Sequence, residues 1–157
     1  MERILGVDPG SRITGYGVIE ADKGRLQFIA CGVVKTTVKR SLNYRLNEVF
    51  DGLNEVIQVH NPVVAAVEDV FVSVNPRSAL KLGQARGAAV VAAMQNGLEV
   101  YDYTPRAVKQ AVSGYGQADK EQMQRMVQLL LGLSGCPSSD AADALAVAIC
   151  HANQFNL

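Results

Sequence analysis

The run VVAAVEDV, Val63 to Val70, constrains the fold more than any other stretch. Five consecutive small or β-branched apolar residues leave no polar face. A strand of this kind is buried on both sides, and such strands belong to parallel sheets covered by helices above and below. Glu68 stands inside that run. A carboxylate surrounded by apolar neighbours requires a partner, because an isolated buried charge is too costly to keep. Strand alternation turns the adjacent Asp69 toward the opposite face.

The remaining elements arrange themselves around this strand. RILGVD (Arg3–Asp8) reads as a buried strand closed by the turn PGSRITG. YGVIEA and RLQFIACGVVKT read as two further strands, with Lys23-Gly24 as the hairpin turn between them. From Ser41 to Val59 the apolar positions Leu42, Leu46, Val49, Phe50, Leu53, Val56 and Ile57 follow helical spacing, and Asn61-Pro62 stops the helix. SALKLGQARGAAVVAAMQNG is an Ala-rich helix ending at Asn96-Gly97. LEVYDY is a strand, Thr104 caps a helix that begins with Pro105, and Asp119–Leu131 is amphipathic. The order β-β-β-α-β-α-β-α-α predicts one α/β domain over 1–157: a mixed five-stranded sheet flanked by helices.

The last helix, within SSDAADALAVAI (Ser138–Ile149), carries Asp140 and Asp143 among alanines and aliphatics. Residues three apart share a helix face, with Cβ atoms about 5–6 Å apart. Complementing the helix dipole after a cap at Ser138 or Ser139 is one reading of this pair. A cation between the two carboxylates is the other. Asp8 closes the first strand and Glu68 lies near the end of the central one. Ligand sites of open α/β sheets lie at such strand C-termini. If the two strands are parallel neighbours, Asp8, Glu68, Asp140 and Asp143 form an all-oxygen set with no His or Cys, suited to Mg²⁺ or Mn²⁺.

Composition narrows the partners. Hydrophobic residues make up 48% and charged residues 19%, ordinary for a compact soluble chain. No apolar run spans a bilayer, and the N-terminus lacks the pattern of a signal peptide, so no membrane association and a cytoplasmic location are expected. Cys31, Cys136 and Cys150 form no CxxC pair and are expected as free packed thiols. Net charge is zero but segregated: +3 over 1–40, −4 over 41–76, +3 over 77–125 and −2 over 126–157. Acids bordered by basic segments fit a metal site beside a phosphate-binding surface, as does chance segregation over solvated faces.

ILGVDPGSRITGYGVI, VEDVFV, SALKLGQARG, VKQAVSGYGQADKEQM and DAADALAVAICH together resemble the RuvC crossover-junction endodeoxyribonucleases, in register from Ile4 to about His151. The resemblance implies an RNase H-like fold, a homodimer, and resolution of four-way Holliday junctions in recombination and repair. Its cuts would be paired nicks in strands of like polarity, leaving 5′ phosphate and 3′ hydroxyl ends. It assigns catalysis and metal binding to Asp8, Glu68, Asp140 and Asp143, with two Mg²⁺ per site for which Mn²⁺ can substitute. A RuvAB-type branch-migration complex is the expected partner besides the four-way DNA junction.

Lys109 and Lys120 flank the turn SGYG and match basic positions of the family beside the active site. Arg77, in the NPRS loop, and Lys81 add candidate DNA contacts. Phe71 follows the Glu68 strand. A ring there is ordinarily core, but the family analogy suggests stacking on an unpaired base or wedging at the junction centre. Gly83 and Gly87, four apart on the Ala-rich helix, suit close helix contact, either on the chain's own sheet or across a two-fold axis. His60 and His151 are expected at the surface or in packing. Rival readings are an RNase H-like nuclease acting on structured RNA, a non-catalytic junction-binding protein, and an actin-like ATPase fragment.

Overall fold

The computed structural model describes residues 1–69 and 75–157. Three strands open the chain: β1 (Glu2–Asp8), β2 (Ile13–Asp22) and β3 (Arg25–Lys35). The β2–β3 turn places Lys23 at φ 51° and Gly24 at φ 82°. Two successive left-handed residues are what a tight hairpin matching strand twist requires. Helix α1 (Leu42–His60) leads to β4 (Val64–Glu68), α2 (Pro76–Gln95) to β5 (Glu99–Tyr103), and α3 (Pro105–Ser113), α4 (Lys120–Leu131) and α5 (Ser139–Gln154) close the chain.

The five strands lie in the order β3-β2-β1-β4-β5. β1 pairs antiparallel with β2 and parallel with β4, and β4 pairs parallel with β5. The apolar run thus sits between two parallel neighbours, as its unbroken hydrophobicity requires. One face of the sheet packs Leu5, Val7, Val18, Ala65 and Val67 against Val49, Leu53, Ala89 and Ala93 of α1 and α2. The other packs Ile4, Ile19 and Ala66 against α5, with Val108, Val112, Met123 and Val127 of α3 and α4 in the same core.

Three glycines set the height of α5. A Cβ on Gly6 would collide with the carbonyl oxygen of Ala144, and one on Gly15 with that of Asp140. A Cβ on Gly17 would meet the Leu145 side chain. The backbone of α5 therefore rests directly on β1 and β2, and Ala141, Ala142 and Ala144–Ala152 are all buried. The Ala-rich composition of this helix is the other half of the same contact, since larger side chains would lift it from the sheet.

No helix among the described residues is long and apolar enough to cross a membrane. Of the three thiols, Cys150 is buried and Cys31 half-buried, but Cys136 is exposed in the loop before α5 and is not packed.

Candidate active site

β1 and β4 run parallel in a register that sets Val7 beside Val67. The next residue of each strand is an acid, so Asp8 and Glu68 emerge side by side. α5 begins over the same strand ends because Gly15, opposite Asp8 across the β1–β2 ladder, receives the Asp140 backbone. Ser138 fixes that beginning, its Oγ accepting the Ala141 N–H at 3.3 Å. Asp8, Glu68, Asp140 and Asp143 consequently line one cleft.

Burial and mutual repulsion dominate the electrostatics. Burial, then the charges of Glu68, Asp143 and Asp140, push the Asp8 carboxyl up to about 8. Burial likewise raises Glu68 and Asp143 above their ordinary values. Hydrogen bonding to Asp8 opposes that rise at both partners. Burial and the neighbouring like charges thus favour the neutral form of Asp8.

Lys109 and Lys120 stand on one rim. Both line a cavity with Glu68 and Asp143, and both favour the ionised forms of those acids. Lys120 Nζ lies 3.8 Å from Asp143 Oδ2. Pro105 starts α3 under a Thr104 cap, and Asp119 starts α4 through a capping box with Gln122. These two helix starts set the lysines on either side of the Ser113–Ala118 turn.

The other candidates are placed differently. Arg77 and Lys81 are exposed in the first turns of α2, and neither lines the cleft. Phe71 lies outside the described residues. His60 ends α1, where its carbonyl oxygen accepts a hydrogen bond from Arg3 at 2.7 Å. His151 is buried, bonded through Nδ1 to the Tyr103 hydroxyl at 2.7 Å and ringed by Tyr101, Tyr103 and Phe155. A Cβ on Gly83 or Gly87 would meet none of the described residues within 4 Å, so among them this glycine face is open and does not pack on the sheet.

Two features escape a reading of the sequence. Asp69 turns its carboxylate to the α2 face, as strand alternation requires, with Oδ1 3.6 Å from Arg86 Nε, and still reaches the rim of the cleft that Asp8 lines. Its backbone N–H donates to the Tyr103 carbonyl at 2.8 Å. Arg86, counted with the basic segment, is engaged within the chain. It reaches from α2 to Asp69, with Nε 3.6 Å from Oδ1, and to Asp102 of β5. The guanidinium thus ties the residue after Glu68 to the neighbouring strand. A run of acids at strand ends facing one helical Arg is the only sequence signal for such a tie.

The donor set consists of carboxylate oxygens alone, the hard ligands that Mg²⁺ and Mn²⁺ prefer. Among the described residues no three His, Cys, Asp or Glu side chains are already closed into a coordination cluster. The four acids instead ring the cleft, and burial and like charge raise the cost of ionising them together. Their chemistry fits a divalent cation, which would relieve that repulsion.

A mixed sheet of this order, with acids converging where its central parallel strands end and a third element bringing two more, defines an RNase H-like nuclease. The T. thermophilus RuvC in complex with a Holliday junction substrate superposes with a TM-score of 0.93 at 36% identity, covering 99% of this chain and 96% of that one. RuvC crossover junction endodeoxyribonucleases of Cupriavidus metallidurans and Burkholderia thailandensis are each 55% identical, over 96% and 98% of this chain and 83% and 85% of theirs. The family described as crossover junction endodeoxyribonuclease RuvC matches residues 4–151, and the chain belongs to it. Nucleases of this family are metal-dependent.

Proposed function

We propose that this protein resolves four-way DNA junctions in the cytoplasm by paired, Mg²⁺-dependent nicks in strands of like polarity, leaving 5′ phosphate and 3′ hydroxyl ends. The observation that carries this reading is the convergence of Asp8, Glu68, Asp140 and Asp143 on one cleft, in a chain of the RuvC family. Two divalent ions bound by these acids, Mg²⁺ or Mn²⁺ in its place, would supply an activated water and a counter-charge for the leaving 3′ oxygen. Asp8, in its ionised form, would complete the set of carboxylates that hold these ions. Lys109 and Lys120 hold the phosphate backbone at the rim and offset its charge. Asp69 and Arg86 keep the end of β4, and with it Glu68, in place.

Paired nicks need two such clefts. The open face of α2 carries Leu80, Gly83, Gly87, Val91 and Met94, with Leu80 67%, Val91 49% and Met94 59% exposed. Exposed aliphatics beside glycines that meet no neighbour among the described residues suit a homodimer built along this helix. Phe71 is the proposed base-stacking residue at the junction centre, Arg77 and Lys81 are proposed phosphate contacts, and a RuvAB-type branch-migration complex is the proposed partner.

The test is cleavage of a synthetic four-way junction with Mg²⁺, beside linear duplex and folded RNA of matched length. Selective symmetric cuts in the junction support the reading. Preferential cleavage of RNA, or junction binding without any cut, overturns it. For the dimer, Gly83→Leu and Gly87→Leu should lower the mass measured by light scattering toward that of the monomer, since overpacking typically costs about 1–3 kcal/mol. Folded variants that keep the wild-type mass would move the interface elsewhere.

A further inference from the structure

The lysines of α3 and α4 belong to helices packed with α5 on one face of the sheet, opposite α1. A second group of cations lies on the other side. Arg12, in the loop between β1 and β2, and Lys35, Lys39 and Arg40, at and beyond the end of β3, are all exposed. From Val33 to Asn47 the sequence has no Asp or Glu. None of the four makes an ion pair among the described residues. Their charges therefore remain available to an outside partner.

The surface that carries them is fixed by buried bonds. Arg45 of α1 is buried, its Nε donating to Thr36 Oγ1 at 3.2 Å and its Nη2 to the Ser11 carbonyl at 2.6 Å. Thr36 is also buried; its Oγ1 donates to the Ser11 carbonyl at 2.8 Å and its N–H to the Arg12 carbonyl at 3.0 Å. The β1–β2 loop and the end of β3 are thereby locked to α1. The first turn of α1 bears no acid, and Arg40 lies over the Tyr44 ring, 4.1 Å from its centroid. Glu48, one turn further on, is engaged by Thr37, whose N–H and hydroxyl each donate to its carboxylate at 2.9 Å.

Location gives this patch its meaning. Pro9 lines the acidic cleft, and Arg12 follows in the same loop. β3 is two strands from β1, about 10 Å across the sheet at ordinary strand spacing. We infer that Arg12, Lys35, Lys39 and Arg40 form a second phosphate-binding surface that holds the backbone of a duplex arm on the side of the cleft opposite Lys109 and Lys120. The inference rests on the nuclease reading above, since it takes the ligand of the whole edge to be DNA. Cations on both flanks would keep one backbone across the acids, which by themselves repel it.

The experiment is a salt titration of binding, in Ca²⁺ buffer, to a synthetic four-way junction with long arms and to a linear duplex. K39Q/R40Q is compared with K23Q/R25Q, which removes two exposed cations at the opposite end of the sheet. K39Q/R40Q should flatten the slope of log affinity against log salt by about 1.8, the share of two phosphate contacts, on both DNAs, with an unchanged thermal midpoint. K23Q/R25Q should keep the wild-type slope. Equal slopes for the two variants overturn the second surface. The duplex arm separates this outcome from a failure of the resolvase reading. If the wild type binds both DNAs alike, junction selectivity is wrong, while the difference between the variants still decides the patch.

Discussion

The two ends of α5 each bury a titratable group, and they treat it in opposite ways. At the C-terminal end His151 loses contact with water, but Tyr103 bonds its Nδ1 and three aromatic rings enclose it. Burial lowers its pKa, and the neutral ring is fully accommodated. At the N-terminal end Asp140 and Asp143 join two more acids, and burial with their mutual repulsion pushes the Asp8 carboxyl up to about 8. One end is solved within the chain, and the other is solved only for the neutral form of one member. A buried polar group whose charged form has no internal partner marks the place where an external ion is needed.

The largest effect should come from the acids. Asp8→Asn, Glu68→Gln, Asp140→Asn and Asp143→Asn should each reduce Mg²⁺-dependent junction cleavage by roughly 10³-fold, about 4 kcal/mol, while junction binding persists in a gel-shift assay. Near-wild-type cutting would remove that residue from the cluster. Stability should move the other way. A carboxyl raised from 3.8 to about 8 stabilises the fold below its unfolded pKa and loses that contribution as pH rises toward 8. Metal-free Asp8→Asn should therefore melt above the wild type at pH 7–8, and the gap should close near pH 4. Mg²⁺ should raise the wild-type midpoint more than that of the variant.

Next in size is the seat of α5. Gly6→Ala and Gly15→Ala each set a methyl group against helix backbone, at a cost of about 1–3 kcal/mol or more. Both should lower the denaturation midpoint and weaken Mg²⁺ stabilisation, because lifting the helix withdraws two of the four acids. Unchanged stability would mean that α5 has room to shift without loss.

Lys109→Ala and Lys120→Ala should each slow cleavage by roughly tenfold, with a shallower salt dependence. Equal rates across a salt series would exclude a phosphate role. The smallest effect belongs to the solved end. Tyr103→Phe removes one neutral hydrogen bond, worth about 0.5–1.5 kcal/mol, and should leave junction cleavage intact. Since burial lowers the pKa of His151, the contribution of this end is lost as pH falls below the ordinary histidine value of 6.5, opposite in sign to the acid cluster. A melting series from pH 5 to 8 reads both signs in one protein.

Much of this contrast was legible before any coordinates. The apolar run at β4 gives a central parallel strand, and Asp8 and Glu68 follow as neighbours once β1 is placed beside it. The three-residue spacing of Asp140 and Asp143 gives their shared face. The seat of α5 was not legible, because Gly6, Gly15 and Gly17 look like ordinary strand glycines until a helix is laid across them. Alternation sends Asp69 to the face opposite Glu68, and its contact with Arg86 of α2 lies there, but its reach to the rim of the cleft was not legible. Arg86 was counted as a free cation because its partners, Asp69 and Asp102, come from two different strands. His151 was expected at the surface or in packing; nothing in its neighbours along the chain announces the aromatic enclosure.

The parallel pairing of β1 with β4, and the landing of α5 on both β1 and β2, carry a consequence for timing. The four acids come from β1, β4 and α5, so the cleft cannot exist in a nascent chain from which α5 has not yet emerged. Pairings so distant in sequence form late, after local hairpins and helices. The β1–β2–β3 meander can assemble early, with Asp8 already at its edge and harmless. Cutting competence should arrive in one step with the docking of α5. A growing nuclease built this way is inert toward nearby nucleic acid until the fold that governs its activity is complete.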